Sequence, residues 1–250
     1  MKRLFALLCL VLLGAARDPI LVPEVSQHDV QVRQGFTGTE LLLFGAILDP
    51  QGTRAGRDYD IVVVLKGPTR SITLREKQKH AGIWVNAASA QFRSAPSFYA
   101  VASSRPIKAL VDQRTAAIYE LGLDSLQLSP TAGALPQEQR RFDDGFVDLR
   151  RRHGLYSESA EGVEITDGVL YRARITIPAR VPVGAYTAET FLIQDGKVVA
   201  GAARDITIDK EGMERFVANA ADRWSLTYGF AAIALSLVLG WVASVLFRRR

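Results

Sequence analysis

The side chains in this sequence that could carry chemistry are few and scattered. Histidine occurs only at His28, His80 and His153, and none stands beside a carboxylate at the helical or strand spacing that holds a metal or relays a proton. They are therefore read as surface or capping residues. Asp143 and Asp144 form a carboxylate pair, but neighbours on a helix point about 100° apart and cannot act jointly as acid and base. The pair is expected on a solvated helix face. The sequence contains no HExxH, CxxC or GxSxG motif and no glycine loop of the phosphate-cradling kind. On these grounds no catalytic residue, metal or cofactor is assigned, and the chain is read as non-enzymatic.

Two groups of residues keep a binding role open. Lys66, Arg70, Arg75, Lys77 and Lys79, with His80, crowd one stretch that only Glu76 opposes. Such a patch could receive a small anion or meet lipid phosphates, the alternative being a solvated strand whose lysines protect a sheet edge. Trp84, Phe98 and Tyr99, with Phe92, Asn86 and Arg105, form the second group. If exposed together, Trp84, Asn86, Phe98, Tyr99 and Arg105 would make a docking surface. If buried, the aromatics are core.

The elements that must position these residues read as mainly β. Val30 and Val32 alternate with polar residues, and the stretch 39–48 is apolar on both faces and is expected to be fully buried. Asp49-Pro50-Gln51-Gly52 has the chemistry of a type I turn, and 60–65 is a second buried strand that ends at Gly67-Pro68. Ile72 with Leu74, a short strand around Trp84, and 98–102 follow. Short strands at such intervals predict an immunoglobulin-like antiparallel sandwich over 17–105. A helical insertion over 106–160 holds two helices. One starts at Pro106 and stops at Gly122, with Ile107, Leu110, Val111, Ile118 and Leu121 near one face. The other spans 136–152, with Phe142, Phe146 and Leu149 on a stripe. Strands resume over 161–209: Tyr171, Ala173, Ile175 and Ile177 alternate with polar residues, and Asp195-Gly196 is a two-residue hairpin signal. This segment is read as a second, membrane-proximal β lobe, the alternative being that it completes the first sandwich.

Both ends of the chain bear on location. Lys2 and Arg3 precede an apolar run and then Gly14, Ala15 and Ala16, so 1–16 reads as a secretory signal; Cys9, the one cysteine, lies within it. At the other end a polar helix over 210–223 leads into 224–247. Within that stretch, 22 residues from Leu226 to Phe247 carry no charge, and Arg248, Arg249 and Arg250 follow at once. A helix of this length reaches about 33 Å, enough to cross a hydrocarbon core of about 30 Å. The arginines place 248–250 in the cytoplasm, which predicts a single pass through the cell inner membrane with the N-terminal domain periplasmic. The net charge of +5 comes wholly from Lys2, Arg3 and Arg248 to Arg250. With a neutral body, no nucleic-acid partner is expected.

Val62-Val63-Val64-Leu65-Lys66-Gly67-Pro68, Arg75-Glu76-Lys77 with Ala81-Gly82-Ile83-Trp84-Val85-Asn86, and Ser97-Phe98-Tyr99-Ala100-Val101-Ala102 followed by Ser103-Ser104-Arg105-Pro106 are distinctive blocks. So are Gly154-Leu155-Tyr156, Pro182-Val183-Gly184-Ala185-Tyr186 and the C-terminal span. Together they resemble a family of transmembrane proteins described from alphaproteobacteria, a family without an established activity. The resemblance implies the architecture above and an accessory role beside a sulfite-exporter-like membrane permease. Three readings are open: an anchored accessory module, a direct small-anion receptor using the basic hairpin, and an envelope enzyme.

Overall fold

The computed structural model describes residues 19–32, 37–49, 59–130, 136–210, 221 and 223–247. The expected signal segment, the Pro50 to Gly52 part of the predicted turn, most of the polar stretch 210–223 and the arginine tail lie outside them. The chain divides into two units: 1–30 with 37–208, and 31–36 with 209–250.

The first unit is built from three sheets. One has the strand order β1 (Ile20–Val25), β3 (Gly38–Leu48), β11 (Leu170–Pro178), β10 (Val163–Thr166). The second has the order β2 (Asp29–Val32), β13 (Lys197–Lys210), β12 (Gly184–Gln194), β4 (Asp60–Lys66), β7 (Tyr99–Ser103), β9 (Tyr156–Ala160). The third is the hairpin β5 (Thr69–His80) and β6 (Ile83–Pro96), edged by β8 (Ser129–Pro130). The first two sheets touch through β11 against β7, β10 against β4 and β1 against β12.

β4 is the innermost strand. Ile61 to Leu65 are wholly inaccessible to solvent, and β12 and β7 flank the strand on its two edges. The continuous apolar run predicted this burial, because a strand covered on both faces has no need of alternation. β11 behaves in the opposite way. Tyr171, Ala173, Ile175 and Ile177 point inward while Leu170, Arg172 and Arg174 are exposed, so one face is wet. The expectation for 39–48 is corrected: Leu41, Leu43 and Ile47 are buried, but Phe44 and Leu48 are exposed. The first sheet is covered on one face only, so apolar residues on β3's outer face stay in contact with water.

Two further expectations change. The segment 161–209 is not a separate lobe, since β11 pairs with β3 and β12 pairs with β4. Strands from both halves of the sequence share both sheets, because β4 can satisfy its two edges only with neighbours from elsewhere in the chain. Nor are the sheets antiparallel throughout. β7 and β9 run parallel, and the helical insertion is the crossover that a parallel pair requires.

Within that crossover the single helix predicted from Pro106 is two short ones, α1 (Ile107–Leu110) and α2 (Gln113–Ile118). The break is local. Asp112 is extended and its carboxylate accepts from the Thr115 backbone N–H at 2.8 Å, which starts α2 afresh. α3 (Pro136–Arg152) has the predicted bounds. Phe142 and Phe146 are buried, and Phe146 meets Phe92 of the hairpin at 5.2 Å between ring centroids and Tyr156 of β9 edge-on at 5.8 Å. Gly154, at φ 70°, ends the helix in the left-handed conformation that glycine tolerates.

In the second unit α4 (Ser225–Phe247) is a 23-residue helix, about 35 Å long, without an acidic or basic residue. Its stretch Ser225–Ser244 has the length and apolarity of a membrane span, and none of its described side chains is buried.

Phe146 joins α3, the hairpin and β9, so Phe146→Ala is expected to lower unfolding free energy by about 3–5 kcal/mol, whereas Leu149→Ala, at a position 39% exposed, costs under about 1 kcal/mol. Urea titration of the purified protein, followed by tyrosine and tryptophan fluorescence, checks the ranking.

Candidate functional site

The basic residues singled out in the sequence divide into two environments. Lys66 closes β4, and its Nζ lies 2.8 Å from Glu120 Oε2 and 3.0 Å from Glu189 Oε2. Burial alone would lower the Lys66 pKa. The hydrogen bonds and charges of the two glutamates outweigh it and hold that pKa above the ordinary lysine value. Tyr99 lies next to this cluster on β7. Its hydroxyl donates to the Glu120 carbonyl, and burial followed by the Glu120 charge pushes its pKa up. Lys66 is therefore committed to two carboxylates and is not available to an incoming anion.

Arg70, Arg75, Lys77 and Lys79 are exposed on β5, and no ion pair is found for them among the described residues. β5 pairs with β6 in the register Lys79↔Trp84, Lys77↔Asn86 and Arg75↔Ser89, with an irregularity between Glu76 and Lys77. Residues paired across an antiparallel ladder share a face, so Arg75, Lys77 and Lys79 line the face that carries Trp84 and Asn86. Glu76, on the other face, reaches Arg141 of α3 at 3.0 Å. A groove of about 340 Å³ between the hairpin and α3 is lined by Leu74, Glu76, Arg141, Phe142, Leu149 and Arg152, among others.

The aromatic group does not form one surface. Trp84 is 66% exposed near the hairpin tip, while Phe98 and Tyr99 are completely buried. Phe98 packs against Tyr186 at 5.9 Å and Tyr99 against Tyr156 at 5.9 Å between centroids. Asn86 is exposed near Trp84, and Arg105 is tied down elsewhere. A docking surface made of Trp84, Asn86, Phe98, Tyr99 and Arg105 together is therefore corrected to an exposed pair at the hairpin and a buried pair in the core. The predicted strand 98–102 is observed as β7, Tyr99–Ser103, beside β4, and that position buries both of its faces.

Arg105 joins a second ionic cluster at the opposite end of β4. Asp60 opens the strand and receives hydrogen bonds from Arg105, whose Nε lies at 2.9 Å and whose second nitrogen completes the fork, and from the Ser104 hydroxyl at 2.8 Å. Burial would raise the Asp60 pKa, but these hydrogen bonds and the Arg105 charge outweigh it and hold the carboxyl below the usual range. Nothing local in the sequence pointed to Glu120, Glu189 or Asp60 as partners. The presence of a charge at each end of an otherwise apolar strand was the one available signal.

The histidines are not brought together. His28 lies 3.2 Å from Glu24, His80 faces Ile83 across the hairpin, and His153 follows α3. Among the described residues no group of three or more His, Cys, Asp or Glu side chains is placed to hold a metal. Asp143 is half-buried and Asp144 exposed. Burial, the largest influence, pushes the Asp143 pKa up, and the Asp144 charge adds to it.

The family model described as Putative transmembrane protein (Alph_Pro_TM) matches residues 20–249. No curated protein and no solved structure matches the chain.

Because the folded-state pKa of Lys66 is raised, its cluster stabilises the fold fully below the unfolded lysine pKa of about 10.4 and loses that contribution as pH rises through the folded value. Lys66→Met is expected to cost about 1–3 kcal/mol at pH 7, leaving Glu120 and Glu189 facing each other, and to flatten the alkaline limb of stability against pH. Urea unfolding between pH 7 and 11 measures both.

Proposed function

Because the chain belongs to the Alph_Pro_TM family of transmembrane proteins, we propose that its β-rich body is a non-enzymatic binding or accessory module, held at the inner membrane by α4 and facing the periplasm. The observation that carries this reading is the division of the chain: one uncharged helix of spanning length, followed by Arg248 to Arg250, on a body rich in β-structure. The arginines favour a cytoplasmic C-terminus, and the leader-like stretch ending at Ala16 favours export of the body. Both ionic clusters of the body are closed on themselves at the ends of β4, which suits a scaffold. On this reading the module assists a membrane permease, the substrate class being a small sulfur oxyanion. That partner comes from the family resemblance and not from a site.

A direct anion receptor is the second reading, favoured by Arg70, Arg75, Lys77 and Lys79, which have no ion pair among the described residues. It is weakened by the loss of Lys66 to Glu120 and Glu189 and by the fully open setting of the other four, where water screens a small anion.

A reporter active only in the cytoplasm is expected to work when fused after Arg250, and carbonate washing is expected to leave the protein in the membrane. A periplasm-active C-terminus overturns the orientation. Affinity isolation from mild detergent, in cells expressing the neighbouring genes, is expected to bring down a permease, and its reproducible absence overturns the accessory role. Calorimetry of the full chain with sulfite, sulfate and phosphate separates the second reading, for which binding must appear and must weaken in Arg75→Ala/Lys77→Ala.

A further inference from the structure

Beyond Glu76, which is paired with Arg141 of α3, the hairpin projects as a bare two-stranded ribbon. Every residue from 77 to 87 is exposed. About five residues of strand on each side reach about 15 Å. The turn at its end is tight, with Ala81 at φ 46° and Gly82 at φ 87°, the two positive angles of a primed hairpin turn. The turn therefore presents a defined tip.

That tip is apolar where a soluble ribbon would be polar. Ile83, Trp84 and Val85 are consecutive, and they are 69%, 66% and 41% exposed. Strand alternation puts Trp84 on one face, and Ile83 and Val85 on the other. On the Trp84 face the ladder places Lys79 directly opposite Trp84, with Lys77 and Arg75 behind it. Glu76, the one acidic residue of the hairpin, is on the opposite face and is occupied by Arg141. One face of the projecting ribbon thus carries Lys77, Lys79 and a terminal indole and no acid, with Arg75 behind them at the ribbon's base.

We propose that this tip is a membrane-contact device: Ile83, Trp84 and Val85 enter the interfacial layer of the bilayer in which the chain is anchored, while Lys77, Lys79 and Arg75 meet anionic lipid headgroups. Tryptophan prefers the headgroup level, where its ring is half apolar and its N–H finds a partner. Basic residues beside an anionic surface add attraction that falls off within a Debye length. A protein partner would more often ask for an aromatic core depleted in lysine, whereas here lysine stands directly across from the tryptophan. The bilayer is also a partner that the candidate span of this chain brings within the protein's surroundings. The contact stands whether or not a permease is the protein's client.

The chain has three tryptophans, so Trp224→Phe/Trp241→Phe leaves Trp84 as the sole indole. The full chain with these changes is placed in nanodiscs of phosphatidylcholine alone or with phosphatidylglycerol. In the anionic discs Trp84 emission is expected to shift to the blue, brominated lipid to quench it, and iodide to lose access. High salt should reverse all three. Lys77→Glu/Lys79→Glu should lower the ratio of inserted to free tip by at least about 25-fold, from about fivefold per lysine near an anionic surface. Both positions are exposed, and unchanged circular dichroism confirms the fold. Trp84 that stays open to iodide equally in both lipid compositions overturns the proposal and leaves the tip to a protein partner. So does quenching by brominated lipid that is indifferent to salt and to the lysine reversals.

Discussion

The structure depends on a strand with no wet face. β4 buries five consecutive aliphatic residues, Ile61 to Leu65, and a strand in that position must have both backbone edges paired, since an unpaired peptide group away from water costs as much as a lost hydrogen bond. β12 closes one edge and β7 the other. The charged residues that bound the run, Asp60 and Lys66, cannot follow it inside unpaired. Each sits where the sheet ends and is met by opposite charge: Asp60 by Arg105 with Ser104, Lys66 by Glu120 and Glu189.

The remaining topology comes from supplying those neighbours. β12 comes from the last third of the chain, so the late β segment is drawn into the sheets of the early one and brings β11 onto β3. β7 needs an outer neighbour of its own and takes β9 in parallel, which requires a crossover. The helical insertion is that crossover. α3 rests Phe146 on Phe92 and Tyr156, and Tyr156 itself donates from its hydroxyl to the Pro96 carbonyl at 2.6 Å. The hairpin base is thereby fastened to the body while its far end is left free.

That contrast separates scaffold from surface. Asp60 and Lys66 are each met by opposite charge at the ends of β4. Arg75, Lys77 and Lys79 instead share one face of a hairpin whose projecting tip is apolar, in a protein of a transmembrane family. Charges that pair internally and charges that face outward came from the same short stretch of sequence, 66–80, and only their place in the fold distinguishes them.

Features that depend on residues close in sequence were legible in advance. The apolar helix after Trp224 has almost the bounds read from its uncharged run, α3 has those read from its stripe, β4 is buried as its unbroken aliphatic run required, and the Asp195-Gly196 turn joins β12 to β13 with both residues at positive φ. Composition and periodicity act within a few residues, and these elements need nothing more. β6 shows where that reach ends: its alanine- and serine-rich half, 86–96, carries little β signal and is a strand because β5 lies beside it. Tertiary structure alone decided which aromatics were covered, that the two β segments share a core, and that Lys66 belongs to Glu120, 54 residues away. Those outcomes depend on which strand edges meet, a property of the whole chain's topology that no local pattern encodes.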